Sequence, residues 1–300
     1  NKISPNRPFN SDTPLDSTRS YYLTTKSPVS FVWHNHNDIS TIINSSYEAF
    51  SPLPFTSLNN KLQSLRSLGF VCTYTRDSTY LESLGLSMDL SYHDYRNDDY
   101  LKLIPTIEAI NSKNIDVVRM GNIKRPIDKH YFNSKHIDFI DQSEDGADDV
   151  CLCSNCLFYI GDTSGLAIVP ALFGRPVVRY NWISIFNSLP YRTLMIPMLI
   201  ADSRDGQLVP FRKIYELREK GLDVYSGYSY QDFGLKLIKN TSSEIYDVSL
   251  EMLQRIDDNY NFQEAHPKQK AFEAMMRSFD YPNPGKVGFN FMEKYGDLFI

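Results

Sequence analysis

The segment from Leu157 to Asn181 constrains the fold of this chain more than any other. Leu157-Phe158-Tyr159-Ile160 is a short apolar run of β-favouring residues, too short for a helix. Gly161-Asp162-Thr163-Ser164-Gly165 reads as a turn of small and hydroxyl residues. Leu166 to Phe173 is an apolar helical stretch closed by Gly174, and Arg175 to Asn181 returns as a second strand. Strand, turn, helix and strand in that order make a βαβ unit. Its turn presents backbone N–H groups at a helix start, which predicts an anion site. The plainer reading is an ordinary turn with Asp162 or Thr163 as helix cap.

The same rhythm runs through much of the chain. Phe70 to Thr75 reads as a strand, Asp98 to Ser112 as a helix with Pro105 in its first turn or at a kink, and Ile115 to Met120 as a strand. His136 to Ile140 reads as a short strand and Asp145 to Asn155 as a helix. Strands alternating with helices of this length predict a Rossmann-like α/β fold, a parallel sheet with helices on both faces. Ser184 to Gly206, with Pro190 and Pro197 among apolar residues, reads as a long loop over the site. Pro210 to Lys220 is a helix closed by Gly221, and Thr241-x-x-Glu244 is a capping box opening a helix to about Ile256. Ser57 to Leu68 reads as a helix and Ser30 to Trp33 as a strand, while Asn1 to Ser30 is Pro-rich and extended. The division this suggests is an N-terminal region, 1–66, and a Rossmann-like domain, 67–300, with C-terminal helices.

With 42% hydrophobic and 22% charged residues, the 300-residue chain has the composition of a soluble globular protein. A net charge of -5 argues against bulk nucleic-acid binding but leaves room for a local basic pocket. No apolar run approaches the roughly 20 residues that cross a bilayer. Cys151, Cys153 and Cys156 form Cys-x-Cys-x-x-Cys, yet Cys72 lies far upstream and no His spacing completes a zinc pattern, so buried reduced thiols are the simpler reading. Gly-x-Gly-x-x-Gly, the P-loop pattern and Gly-x-Ser-x-Gly are all absent, which disfavours nicotinamide binding, P-loop ATPase chemistry and the α/β-hydrolase class.

Polar clusters recur just past the predicted strand ends, where an open α/β sheet binds its ligand. They are Arg76-Asp77, Arg119-Met120-Gly121, the Asp162-Thr163-Ser164-Gly165 turn and Tyr180-Asn181. A further cluster, Tyr92-His93-Asp94-Tyr95-Arg96-Asn97, occupies the loop after the first strand. Arginines beside a helix start suit a diphosphate, because a guanidinium makes planar bidentate contacts. The plainer role for Arg76 or Arg96 is pairing with a nearby carboxylate or capping a helix. His93 and Asp77 are the acid/base candidates. Asp98-Asp99 and Asp148-Asp149 read as helix N-terminal acids rather than metal ligands.

Taken together, Thr75-Arg76-Asp77-Ser78-x-Tyr80, Tyr92 to Asn97, Val118-Arg119-Met120-Gly121 and Phe158-x-Ile160-Gly161-x-x-Ser164-Gly165 resemble a family of predicted bacterial glycosyltransferases from surface-polysaccharide gene clusters. The resemblance covers about residues 70 to 185. More distantly, Tyr74-Thr75-Arg76-Asp77 and the Gly-x-x-Ser turn are similar to the donor-binding half of fucosyltransferases and heptosyltransferases of GT-B type. The resemblance implies that Arg76 and the Asp162 to Gly165 turn contact the donor's phosphates, and that Arg119 and the His93/Arg96 loop line the cleft. Tyr74 stands where fucosyltransferases tend to have His, which leaves the donor sugar open.

The expected activity is sugar transfer from a nucleotide-sugar donor to a glycan or lipid-linked acceptor, with no required cofactor or metal. The expected setting is the cytoplasm, with inner-membrane association or membership of a larger glycosyltransferase polypeptide as extensions. A sugar-nucleotide epimerase of the same architecture and a non-catalytic nucleotide-sugar or glycan-binding module are the alternatives.

Overall fold

The computed structural model describes residues 69–300 apart from 80–81, 83–88, 122–125, 141–145, 184, 187–188, 191, 258–265 and 282–284, together with 23–24, 30–31, 51–53 and 65. The N-terminal expectations therefore fall largely outside the described residues, including most of the helix over Ser57 to Leu68. Within that region Leu23–Thr24 and Ser30–Phe31 pair antiparallel.

Seven strands form one wholly parallel sheet: β1 (Phe70–Tyr74), β2 (Asp116–Arg119), β3 (His136–Asp138), β4 (Phe158–Gly161), β5 (Val177–Trp182), β6 (Thr193–Pro197) and the short Lys286–Val287. Across the sheet the first six run β3-β2-β1-β4-β5-β6, with Lys286–Val287 beyond β6. This is the doubly wound order in which the chain reverses direction between β1 and β4, and sheets of this order bind their ligands at the carboxyl ends of the strands that flank the reversal. The fold is Rossmann-like α/β.

The strands are buried on both faces, so they read as apolar runs rather than alternations. Val71, Ile160, Val178 and Leu194 face one helical layer made of α1 (Ile104–Ser112), α6 (Ser242–Asp257), α7 (Lys268–Ser278) and α8 (Phe289–Tyr295). Their neighbours Cys72, Tyr159 and Val177 face the other, made of α2 (Gly146–Asn155) and α3 (Ile168–Leu172). Each fully buried aliphatic side chain contributes about 1.5–3 kcal/mol. Outside the sheet, α4 (Phe211–Arg218) and α5 (Gly227–Asp232) flank an antiparallel pair, β7 (Leu199–Asp202) and β8 (Leu235–Ile238).

Local sequence explains the boundaries. Pro105 sits in the first turn of α1, where its missing N–H costs nothing. Gly174 and Gly221 close their helices with φ of 69° and 104°. The capping box closes in both directions: Thr241 N donates to Glu244 Oε2 at 2.8 Å, and Glu244 N to Thr241 Oγ1 at 3.2 Å.

The expected loop over Ser184 to Gly206 is corrected. Thr193–Pro197 is a fully buried sheet strand and Leu199–Asp202 pairs with β8. Pro197 ends its strand and Pro190 precedes it, so neither proline removes a ladder hydrogen bond. The helix after the Gly161 to Gly165 turn is also shorter than expected: a 3-10 turn, Gly165–Ala167, precedes the five residues of α3.

The four cysteines are free and buried. Pieces of the N-terminal region dock against α2: Leu53 N donates to Ser154 Oγ at 3.0 Å, and Asn155 Nδ2 donates to Leu53 O at 2.9 Å. Among the described residues no helix is long and apolar enough to cross a membrane, and no cluster of three His, Cys, Asp or Glu could hold a metal ion.

Candidate functional site

Arg76 lies just past β1, opposite the Asp162 to Gly165 turn that follows β4. Tyr74 of β1 is in register with Gly161 of β4, so the two strand ends stop level with one another. The main chain of Arg76 is held from both sides. Its N–H donates to Asp162 Oδ2 at 2.6 Å, and its carbonyl accepts from Asp98 N at 3.0 Å. Asp162 thus bridges the switch point instead of capping the next helix.

The guanidinium of Arg76 faces other positive groups. Burial and Arg96 both push its pKa down. Arg96 and His93 share one 3-10 helix, Ser91–Arg96, whose three-residue turn places them on one face. His93 is driven from its ordinary 6.5 to about 4, first by burial and then by Arg96 and Arg76. Its Nδ1 is buried with no hydrogen-bond partner. Arg96 is steered by Tyr95 Oη, which accepts from Nε at 3.0 Å, and by the Tyr225 carbonyl at 3.4 Å. Gly227 lets this helix approach α5, since a Cβ there would lie 3.0 Å from the Tyr95 ring. Among the described residues neither Arg76 nor Arg96 has a carboxylate in ion-pair contact.

Asp162 is fully buried, and burial raises its pKa to about 7 against the opposing pull of the Arg76 N–H and guanidinium. Its Oδ1 has no partner. Thr163 Oγ1 donates to the Asn181 carbonyl at 2.6 Å, which ties the turn to β5. The Ser164 hydroxyl is buried beside the Tyr159 hydroxyl, whereas Gly165 is exposed with open space where a Cβ would point.

The remaining candidates stand elsewhere. Arg119 is 6% exposed, ion-paired to Asp138 at 3.1 Å and stacked over Tyr100 at 4.8 Å. Met120 is a core residue. Gly121 has φ 122°, and a Cβ there would lie 2.7 Å from the Tyr74 ring, so it serves close packing. Asp77 Oδ1 accepts from Thr79 N at 3.0 Å and closes a local turn. Asn181 is buried and clasped to Asn240: each main-chain N–H donates to the other's Oδ1, at 2.5 and 2.7 Å. Its Nδ2 donates to Asp98 Oδ2 at 2.6 Å. Arg76, Arg96, His93 and the turn therefore come together, while Arg119, Met120 and Asn181 belong to the supporting wall.

Sequence reasoning missed part of that wall. Asp99 caps the 3-10 turn Tyr100–Leu103, as an N-terminal acid should, but Asp98 is a buried bridge between Lys102, at 2.8 Å, and Asn181. Lys239 Nζ donates to the Asn97 carbonyl. Lys239 and Asn240 follow β8, distant in sequence from every motif. A signal existed only for Asp98, through its place beside the His93 cluster.

No protein-family model matches the sequence, and no curated protein matches it. Among solved structures, a glycosyl transferase family 9 structure from Veillonella parvula DSM 2008 is similar with a TM-score of 0.38 at 11% identity. The match covers 76% of this chain and 54% of that one, so the chain spans about half the length of that structure.

Proposed function

We propose that the chain is a glycosyltransferase that moves a sugar from a nucleotide-sugar donor to a glycan or lipid-linked acceptor without a metal ion. The observation that carries this reading is the pair Arg76 and Arg96. They meet at the β1/β4 switch point, among the described residues without a carboxylate in ion-pair contact, beside the Asp162 to Gly165 turn. Holding two cations together in a half-buried crevice is unfavourable unless an anion joins them. A diphosphate supplies that charge, and its negative charge grows as the sugar leaves, so pre-aimed guanidiniums stabilise the transition state more than the ground state.

In this scheme an acceptor hydroxyl attacks the anomeric carbon. The bond from that carbon to the diphosphate oxygen breaks, and the electron pair leaves with the nucleoside diphosphate. The hydroxyl proton passes to His93, which is neutral at pH 7 because its pKa is held at about 4. Such a base is weak while two arginines face it. Donor binding neutralises those arginines and raises its basicity, so base strength is coupled to donor occupancy.

Calorimetric titration with a panel of nucleoside diphosphates tests the binding half, and release of free nucleoside diphosphate with donor and acceptor present tests transfer. Failure to bind any nucleoside diphosphate refutes the reading. Binding without turnover over a broad acceptor panel makes the chain a binding module, and donor conversion without acceptor makes it an epimerase.

A further inference from the structure

Between α6 and α8, beside the edge strand Lys286–Val287, a groove of about 160 Å³ opens to solvent. That is below the roughly 300–1,000 Å³ of sites that enclose large ligands, and it suits a single small ring. Each helix gives the groove one stripe of side chains. Glu244, Asp247, Val248 and Glu251 recur at three- and four-residue spacing along α6, as Asn290, Phe291 and Lys294 do along α8. Gly288, at the head of α8, lets the two helices come close, since a Cβ there would stand 3.0 Å from Val248 Cγ2.

Two of the carboxylates are already fixed and their charge is answered. Glu244 Oε1 accepts from Tyr295 Oη at 2.9 Å and pairs with Lys294 at 3.3 Å, while its Oε2 accepts from Thr241 N. Glu251 pairs with Arg255 at 2.7 Å, and its Oε2 accepts from Phe289 N at 2.6 Å. Asp247 and Asn290 differ. They are half-buried and exposed respectively, and among the described residues neither has a hydrogen-bond partner.

Charge narrows what the groove can hold. An anion would meet three carboxylates. A cation would meet Lys294 and find only Asp247 without a counter-charge, and among the described residues no cluster of three side chains could hold a metal ion. A neutral ring rich in hydroxyls meets neither objection. Asp247 and the two fixed carboxylates accept from its hydroxyls, Asn290 Nδ2 and Lys294 Nζ donate to them, and Val248 and Phe291 line the apolar side against its C–H groups. Because Glu244 and Glu251 are held before the ligand arrives, little order has to be imposed on binding.

We propose that the groove between α6 and α8 seats one neutral sugar ring, with Asp247 and Asn290 as its main contacts. The seat is distinct from the Arg76/Arg96 pair and stands whether or not that pair binds a donor.

The test is saturation-transfer NMR with the methyl glycosides of glucose, galactose, mannose and N-acetylglucosamine. It is run on the full chain and on Asp247→Ala, Asn290→Ala and Arg76→Ala, with nucleoside diphosphate affinity measured by calorimetry on the same proteins. At least one glycoside should bind. Asp247→Ala should weaken it about tenfold or more and Asn290→Ala about threefold, as for a charged and a neutral hydrogen bond. Arg76→Ala should leave glycoside affinity unchanged, and both groove variants should keep the nucleoside diphosphate affinity of the unaltered chain. An unaltered chain that binds none of the four glycosides overturns the proposal. So does glycoside binding that both groove variants keep, or that Arg76→Ala abolishes, since the sugar then sits elsewhere. Glycoside binding in the groove without any nucleoside diphosphate binding refutes the transferase reading and supports the seat. Should Asp247→Ala fail to fold, Asn290→Ala decides: weakened glycoside binding supports the seat, and unchanged binding overturns it.

Discussion

Two regions of this molecule are built from the same side chains and behave differently. At the β2/β3 ends, Arg119, Tyr100 and His136 form a closed network. His136 Nδ1 lies 2.8 Å from the Tyr131 carbonyl, Nε2 lies 3.0 Å from Tyr100 Oη, and that hydroxyl lies 2.8 Å from Thr73 Oγ1. Arg119 covers the Tyr100 ring and pairs with Asp138. At the β1/β4 ends, Arg76, Arg96 and His93 gather with an unpartnered imidazole nitrogen, and among the described residues neither arginine has a carboxylate in ion-pair contact, although Asp162 and Asp223 act on the cluster from farther off. Both histidines are held at about 4, chiefly by burial. The first region satisfies its polar groups internally and so stabilises the fold. The second leaves two guanidiniums and an imidazole that push on one another, a balance that an added anion would relieve.

The largest separation between the regions is expected from their arginines. Arg76→Ala should weaken nucleoside diphosphate binding about 10- to 100-fold, the loss of a charge-assisted contact worth about 1.5–3 kcal/mol, while the melting midpoint stays close to that of the unaltered chain. Arg119→Met should do the reverse: stability falls by about 1–2 kcal/mol in urea titration, as for a broken buried hydrogen bond, and nucleotide affinity is unchanged. Equal effects of the two on binding would erase the distinction. A smaller effect concerns the histidines in NMR titration: saturating nucleoside diphosphate should raise the His93 pKa by about one unit or more and leave His136 in place.

The smallest effect lies in the pH dependence of stability. Both histidines bind fewer protons folded than unfolded between their ordinary 6.5 and about 4, so stability falls as pH drops through that window. Asp162 acts oppositely. Raised from 3.8 to about 7, it binds more protons folded, so its contribution is full at low pH and lost as pH rises to about 7. Asp162→Asn should therefore steepen the acid loss between pH 6.5 and 4, measured as the denaturation midpoint against pH. An unchanged slope would show that Asp162 does not titrate in this window.

Much of the fold is legible in the sequence, because parallel strands buried on both faces leave uninterrupted apolar runs such as Phe70 to Tyr74, and glycines such as Gly174 mark helix ends. The strand at Thr193–Pro197 is hidden by the prolines at its edges, which are signs of a loop unless the sheet is known to end there. The crevice is legible where it is local: Arg76, the His93/Arg96 turn and the residues after Ile160 follow strands or share one helical turn. What is not local is lost. Whether Arg119 serves a ligand or Asp138 depends on β3 lying beside β2.

The clasp between Asn181 and Asn240 has a mechanical consequence. Asn181 bends with φ 48°, a conformation that asparagine tolerates better than most residues, and so brings its amide back onto the segment that starts α6. The end of β5 and the head of that helix are thereby yoked at two points. Tension applied to one is delivered to the other, and the C-terminal helices travel with the sheet rather than swinging on a hinge at this junction. Hydrogen exchange at the Asn181 and Asn240 amides should accordingly be slow together, and a substitution that unyokes one should speed the other.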